Sequence, residues 1–106
     1  MSPPTRIDLH LRLRVAPGRR GEFLVFLREA IPFYERGGAG GIEVRLLEDL
    51  GDDHRFIEVV RYEDEAAYER DQERVRSDPE MKRFLERWRA LLAGPPVVEV
   101  YRLTEP

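Results

Sequence analysis

Ile7, Leu9, Leu11, Leu13 and Val15 alternate strictly with Asp8, His10, Arg12 and Arg14, the two-residue period of a strand with one apolar face. Pro17-Gly18 closes it. From residue 19 to about 36 the spacing changes, with Phe23, Leu24, Phe26, Leu27, Ala30, Ile31 and Tyr34 recurring at the three- and four-residue steps of a helix with a wide apolar face. Pro32 is predicted to kink or shorten its last turn, since it removes a backbone donor and crowds the turn before it. Gly37, Gly38, Gly40 and Gly41 end the helix. Residues 42–47 and 55–62 then read as two strands of an antiparallel hairpin, joined by the polar stretch 48–54. A second helical region opens near Asp64 and carries Ala67, Tyr68, Asp71 and Val75 until Ser77-Asp78-Pro79-Glu80 interrupts it. That tetrad starts a new helix, with Ser77 or Asp78 as N-cap, Pro79 in the first turn and Glu80 placed to close a capping box with Ser77. Met81, Phe84, Leu85, Trp88, Leu91 and Leu92 give this helix a single apolar stripe to about residue 93. Gly94 and Pro95-Pro96 stop it, and residues 97–103 form a last strand.

The order strand, helix, hairpin, interrupted helix, strand is β-α-β-β-α-β. It predicts an α+β, ferredoxin-like domain whose four-stranded antiparallel sheet carries the helices on one face. At 106 residues the chain has the length of one domain, with an ordered core expected over about 6–104. What covers the other sheet face is the open question. His10, Arg12, Arg14 and Arg45 are expected there near Glu43, Glu58 and Glu99, a mixed set able to form cross-strand ion pairs. Either a solvated open sheet or a second copy of the chain satisfies such a face.

Composition narrows the function classes. Charged residues make up 37% of the chain, above the roughly 25% usual for soluble proteins. The 18 basic and 21 acidic side chains nearly balance and are mixed along the chain, which argues against a nucleic-acid face and against an electrostatic membrane anchor. No apolar run is long enough for a membrane helix, and the first residues lead into a strand without a signal-like apolar stretch, so a cytoplasmic protein is expected. Without cysteine there is no disulfide, thiolate nucleophile or cysteine-based metal site. Lys82 is the only lysine, asparagine is absent and Gln72 is the only glutamine, a bias that a thermophile or a GC-rich genome explains equally well.

The segments Arg14-Val15-Ala16-Pro17-Gly18-Arg19, Arg61-Tyr62-Glu63-Asp64-Glu65-Ala66, Ser77-Asp78-Pro79-Glu80-Met81 and Leu91-Leu92-Ala93-Gly94-Pro95-Pro96-Val97 resemble those of the dimeric α/β-barrel family. The likeness is to its antibiotic-biosynthesis-monooxygenase and NIPSNAP-type branches, and it spans nearly the whole chain. It implies a homodimer packed sheet face to sheet face, with a pocket between sheet and helices that takes an aromatic substrate or haem. The monooxygenase-like branch carries a tryptophan at the end of the third strand and a histidine early in the next helix. The matching positions here are Tyr62 and Asp71, and the asparagine that some of those enzymes use has no counterpart in a chain without one.

Tyr62, Asp71 and His10 are therefore the candidate catalytic residues: Tyr62 as a donor and Asp71 as an acceptor for a phenolic or quinone-like ligand, His10 as a base near neutral pH. Against this, Tyr62 can simply cap the sheet, and Asp71 can pair with Arg74 or Arg70. Phe23, Leu27, Phe84 and Trp88 are expected to build the apolar ligand pocket. No metal site is expected, because His10 and His54 lack a third nitrogen ligand, and Ser2 and Ser77 offer no triad nucleophile. The glycine run is no phosphate cradle, having neither a strand before it nor a helix after it. Three functions remain: a homodimer binding a small aromatic or hydrophobic molecule without a cofactor, a cofactor-independent monooxygenase-like enzyme acting on a polyketide- or quinol-like substrate, or a structural dimer with a filled pocket.

Overall fold

A computed structural model describes residues 5–37 and 41–106. Along them run β1 (Ile7–Arg14), α1 (Arg20–Arg36), β2 (Ile42–Asp49), β3 (Asp52–Tyr62), α2 (Glu65–Ser77), α3 (Pro79–Arg89) and β4 (Val97–Arg102). The strands form one antiparallel sheet in the order β2-β3-β1-β4. This is the ferredoxin-like arrangement, with its second helical region divided in two at Asp78.

Register assigns every strand residue to a face, because side chains alternate along a strand. Leu11 lies opposite Glu58 of β3 and Val98 of β4, while Glu58 lies opposite Leu46 of β2. Leu9, Val60, Val44 and Val100 form the next row on that face, and Phe56 and Tyr62 extend it along β3. The helices cover this side. Phe23, Phe26, Leu27, Phe56, Phe84 and Trp88 belong to one buried cluster, and Ile7, Ile42, Val44, Tyr62 and Ala67 to a second.

Local chemistry accounts for the boundaries and for where they depart from expectation. The hairpin is tighter than the polar stretch 48–54 suggests: β2 and β3 extend through it, leaving Leu50 and Gly51 between them. The Asp49 carboxylate accepts from Gly51 N at 2.7 Å, closing the turn with a side chain. α1 continues past Pro32 to Arg36, and Arg74 donates to the carbonyls of Phe33 and Tyr34, two of the acceptors a helix end leaves open. α3 is capped by Asp78, which accepts from Glu80 N at 2.9 Å. Ser77 instead donates to Glu73 O at 2.8 Å, so the expected capping box with Ser77 does not form. α3 ends at Arg89, before residue 93, because Ala93 N donates to Arg14 O and Leu92 bridges to Val15. Gly38 and Gly40 lie outside the described residues. Among those described, no helix is long and apolar enough to cross a membrane.

Asp64 caps α2 by accepting from Ala67 N at 2.8 Å. Asp64→Ala should cost about 1 kcal/mol, read as a lower urea midpoint at unchanged slope. A neutral result would mean that tertiary contacts alone hold the start of α2.

Candidate functional site

Between the helix-facing side of the sheet and α2 and α3 lies a cavity of about 410 Å³. Leu9, Leu11 and Val60 give it an apolar floor, and Met81, Leu85 and Trp88 a helical wall. Val98 and Val100 line it from β4, one of the two edge strands, and both are about half exposed.

Among the polar side chains of this lining are Glu58, Tyr62, Asp71 and Arg89. Glu58 is buried to 3% exposure in the row between Leu11 and Leu46. Its carboxylate accepts from Trp88 Nε1 at 2.6 Å. Burial disfavours the charged form and pushes Glu58 up from its ordinary 4.5 to about 7, with the Trp88 hydrogen bond acting in the opposite direction. Such a carboxyl exchanges its proton near neutrality.

Tyr62, at the end of β3, donates to Asp71 Oδ2 of α2 at 2.5 Å. Asp71 Oδ1 lies 3.5 Å from Arg74 Nη1. Burial raises Asp71 despite the Tyr62 hydrogen bond and the Arg74 charge. It also pushes the Tyr34 and Tyr62 phenols up, so both keep their protons. Arg89 brings an exposed guanidinium to the same lining.

The expected site residues divide accordingly. Tyr62, Asp71 and Trp88 are brought together around the cavity. Phe23, Leu27 and Phe84 are not among its lining; they pack in the neighbouring core cluster, where the wide apolar face of α1 meets Phe56 and α3. His10 is on the opposite side of the sheet, 5.0 Å from the Tyr101 ring between centroids, and so does not reach the cavity. Glu58 is the converse correction: expected on the uncovered face, it points to the helices. The rest of that set does share the uncovered face, with Arg12 bonded to Glu99 at 2.6 Å and Arg45 to Glu43 at 2.6 Å. His54 is in β3, and with Asp52 and Asp53 its ligand atoms lie within 4.8 Å of one another; Asp52 there is already engaged by Arg14 at 2.7 Å and by His54 N.

A family model described as antibiotic biosynthesis monooxygenase matches residues 7–87. No curated protein matches the sequence. Among solved structures, a conserved protein from Methanosarcina mazei Go1 superposes with TM-score 0.78 at 17% identity, over 93% of each chain. A Pseudomonas aeruginosa protein gives TM-score 0.69 at 24% identity, over 100% of this chain and 99% of that one. SnoaB, a cofactor-independent oxygenase from Streptomyces nogalater, gives 0.71 at 20% identity, over 94% and 92%. At these identities the structural likeness establishes a shared fold.

Proposed function

The chain belongs to the antibiotic biosynthesis monooxygenase family, and from that premise we propose that it is a homodimer binding a small planar aromatic or hydrophobic molecule in the cavity of each subunit, without a cofactor. The observation that carries this reading is the cavity: about 410 Å³ of space falls within the range of small-molecule sites, and apolar walls with a few convergent polar groups are their usual composition. Trp88 is the chain's only tryptophan and lines that space, so its emission reports occupancy directly. Titration with naphthalene should quench it saturably. Val98 is 57% exposed and also lines the cavity, so Val98→Arg should weaken the probe at least about tenfold while leaving the melting temperature nearly unchanged. Quenching that never saturates, or that ignores this substitution, would remove the reading.

The uncovered sheet face supports the dimer. It exposes Leu47, Val97 and Tyr101 beside the paired charges, and leaves His10 Nδ1 and Arg61 Nε buried without a hydrogen-bond partner among the described residues. A second copy of that face offers both apolar cover and complementary charge. Light scattering should give twice the chain mass; a monomer at micromolar concentration would refute the arrangement.

Glu58 favours a second reading, oxygenation of the bound aromatic. A phenol deprotonated in the cavity is electron-rich enough to reduce dioxygen, so phenol plus dioxygen gives a quinone and water, and the substrate supplies the electrons. Oxygen uptake with an anthrone as substrate, lost in Glu58→Gln, is the expected result; uptake equal to the protein-free rate would exclude it for that substrate.

A further inference from the structure

We propose that Glu58 is the base of this cavity, accepting the proton of a phenolic or enolic O–H on the bound molecule, so that the ligands of choice are weak oxygen acids and not plain hydrocarbons. The inference deepens the small-molecule reading and rests on it. Glu58 sits in the cavity lining, is almost wholly buried, and accepts its one described side-chain hydrogen bond from Trp88. A carboxylate has about four lone-pair sites for donors. One Trp88 N–H leaves acceptor capacity unused, and a buried carboxylate with capacity to spare is costly unless a donor arrives.

The surroundings make Glu58 the base. Asp71, the other carboxyl of the lining, accepts from Tyr62 on Oδ2 and has Arg74 Nη1 3.5 Å from Oδ1, at ion-pair distance without a hydrogen bond, so a cation already stands beside its charge, whereas Glu58 has none. Tyr34 from α1, Tyr62 from β3 and Tyr68 from α2 are phenols; from β1, β2 and β4 the cavity is lined by Leu9, Leu11, Ile42, Val98 and Val100, and Leu46 pairs with Glu58 in the sheet, all of them apolar. Arg89 of α3, exposed at the same lining, is the cation able to balance the negative charge.

Charge conservation explains why a base belongs here. When the ligand O–H breaks, its electron pair stays on the ligand oxygen and the proton bonds to the Glu58 carboxylate. One negative charge is present before and one after, so the step adds no new charge to a low-dielectric site. An anion entering from water would instead put two negative charges in one apolar cavity. A neutral acid is admitted, then ionised.

2-Naphthol tests this, because on excitation it becomes a strong acid and its neutral and ionised forms emit at different wavelengths. Excited beyond the absorption of Trp88 at about pH 8, where Glu58 is a carboxylate, the bound probe should emit as naphtholate. In Glu58→Gln it should emit as the neutral form, with folding of the variant checked by its urea midpoint. Should that variant not fold, the original protein at about pH 5 supplies the same contrast, since Glu58 is then protonated and bound naphthol should emit as neutral. Naphtholate emission that survives both changes overturns the role of Glu58 and leaves the small-molecule reading intact. Failure of naphthalene and naphthol alike to bind overturns both.

Discussion

Glu58→Gln should stabilise the fold by about 3 kcal/mol at pH 8 and by almost nothing at pH 4. Burial raises Glu58 from its ordinary 4.5 to about 7. Below about pH 4.5 the carboxyl is protonated in both folded and unfolded chains, and ionisation contributes nothing to their difference. Between there and about pH 7 the unfolded chain has released a proton that the folded chain still holds, so stability falls as pH rises. Beyond about pH 7 both are charged, and the full cost of burying the carboxylate is felt. Glutamine has the same size, can still accept from Trp88 Nε1, and never ionises. Urea unfolding at the two pH values should therefore show a variant advantage that opens between them, with a melting temperature on the order of 10 °C higher at the alkaline end. Trp88→Phe should move the inflection to higher pH, since it removes the hydrogen bond that favours the charged form. An advantage of equal size at both values would mean that Glu58 stays neutral throughout, and the base would be lost with it.

That a stabilising substitution is expected at the centre of the site is itself informative. A buried carboxylate in a row of leucines is a standing cost to the fold, and such costs persist where a chemical task requires them.

Element order was legible in the sequence because each period is long and clean: the alternation in β1, the stripes of α1 and α3, the Asp78-Pro79 restart. The side on which Glu58 lies is encoded less openly. In β3 both Phe56-Glu58-Val60-Tyr62 and Ile57-Val59 look apolar enough to face a core, so hydrophobicity alone does not choose the phase. Parity does: Tyr62 and Glu58 are four residues apart on one strand, so a Tyr62 aimed at the pocket obliges Glu58 to point the same way. The same argument removes His10, which alternates with Leu9 and Leu11. Phe23, Leu27 and Phe84 are a different case. A wide apolar face says that a helix is buried, but which part of it meets a cavity depends on where α2 and α3 come to lie, and that is a tertiary fact. The acidic stretch of the hairpin misleads for a third reason: polar composition reads as loop, yet Arg14, Arg20 and Arg55 supply partners that let Asp52, Glu48 and Asp49 remain in strands.

Gly37→Ala and Arg74→Ala should each cost about 2–3 kcal/mol, and the double variant should cost no more than the worse of the two. Arg74 is the clamp between α2 and the end of α1. Its guanidinium donates to Tyr34 O at 3.0 Å and Phe33 O at 2.8 Å, lies 4.5 Å from the centre of the Phe33 ring, and is within ion-pair distance of Asp71 and Asp78. A Cβ at position 37 would lie 1.6 Å from Arg74 Nη1. The guanidinium can swing away to make room, but only by giving up both carbonyls and the ring. Glycine is therefore needed here for close approach, and alanine removes the same contacts as truncating the arginine, which is why the two costs should not add. Losing the clamp also frees Asp71 from its cation, so the carboxyl holding Tyr62 at the cavity should titrate at higher pH and naphthalene should bind more weakly in both single variants. Additive losses would show that Gly37 acts through its own backbone. Unchanged binding alongside lower stability would show that the Tyr62–Asp71 side of the cavity is positioned without α1.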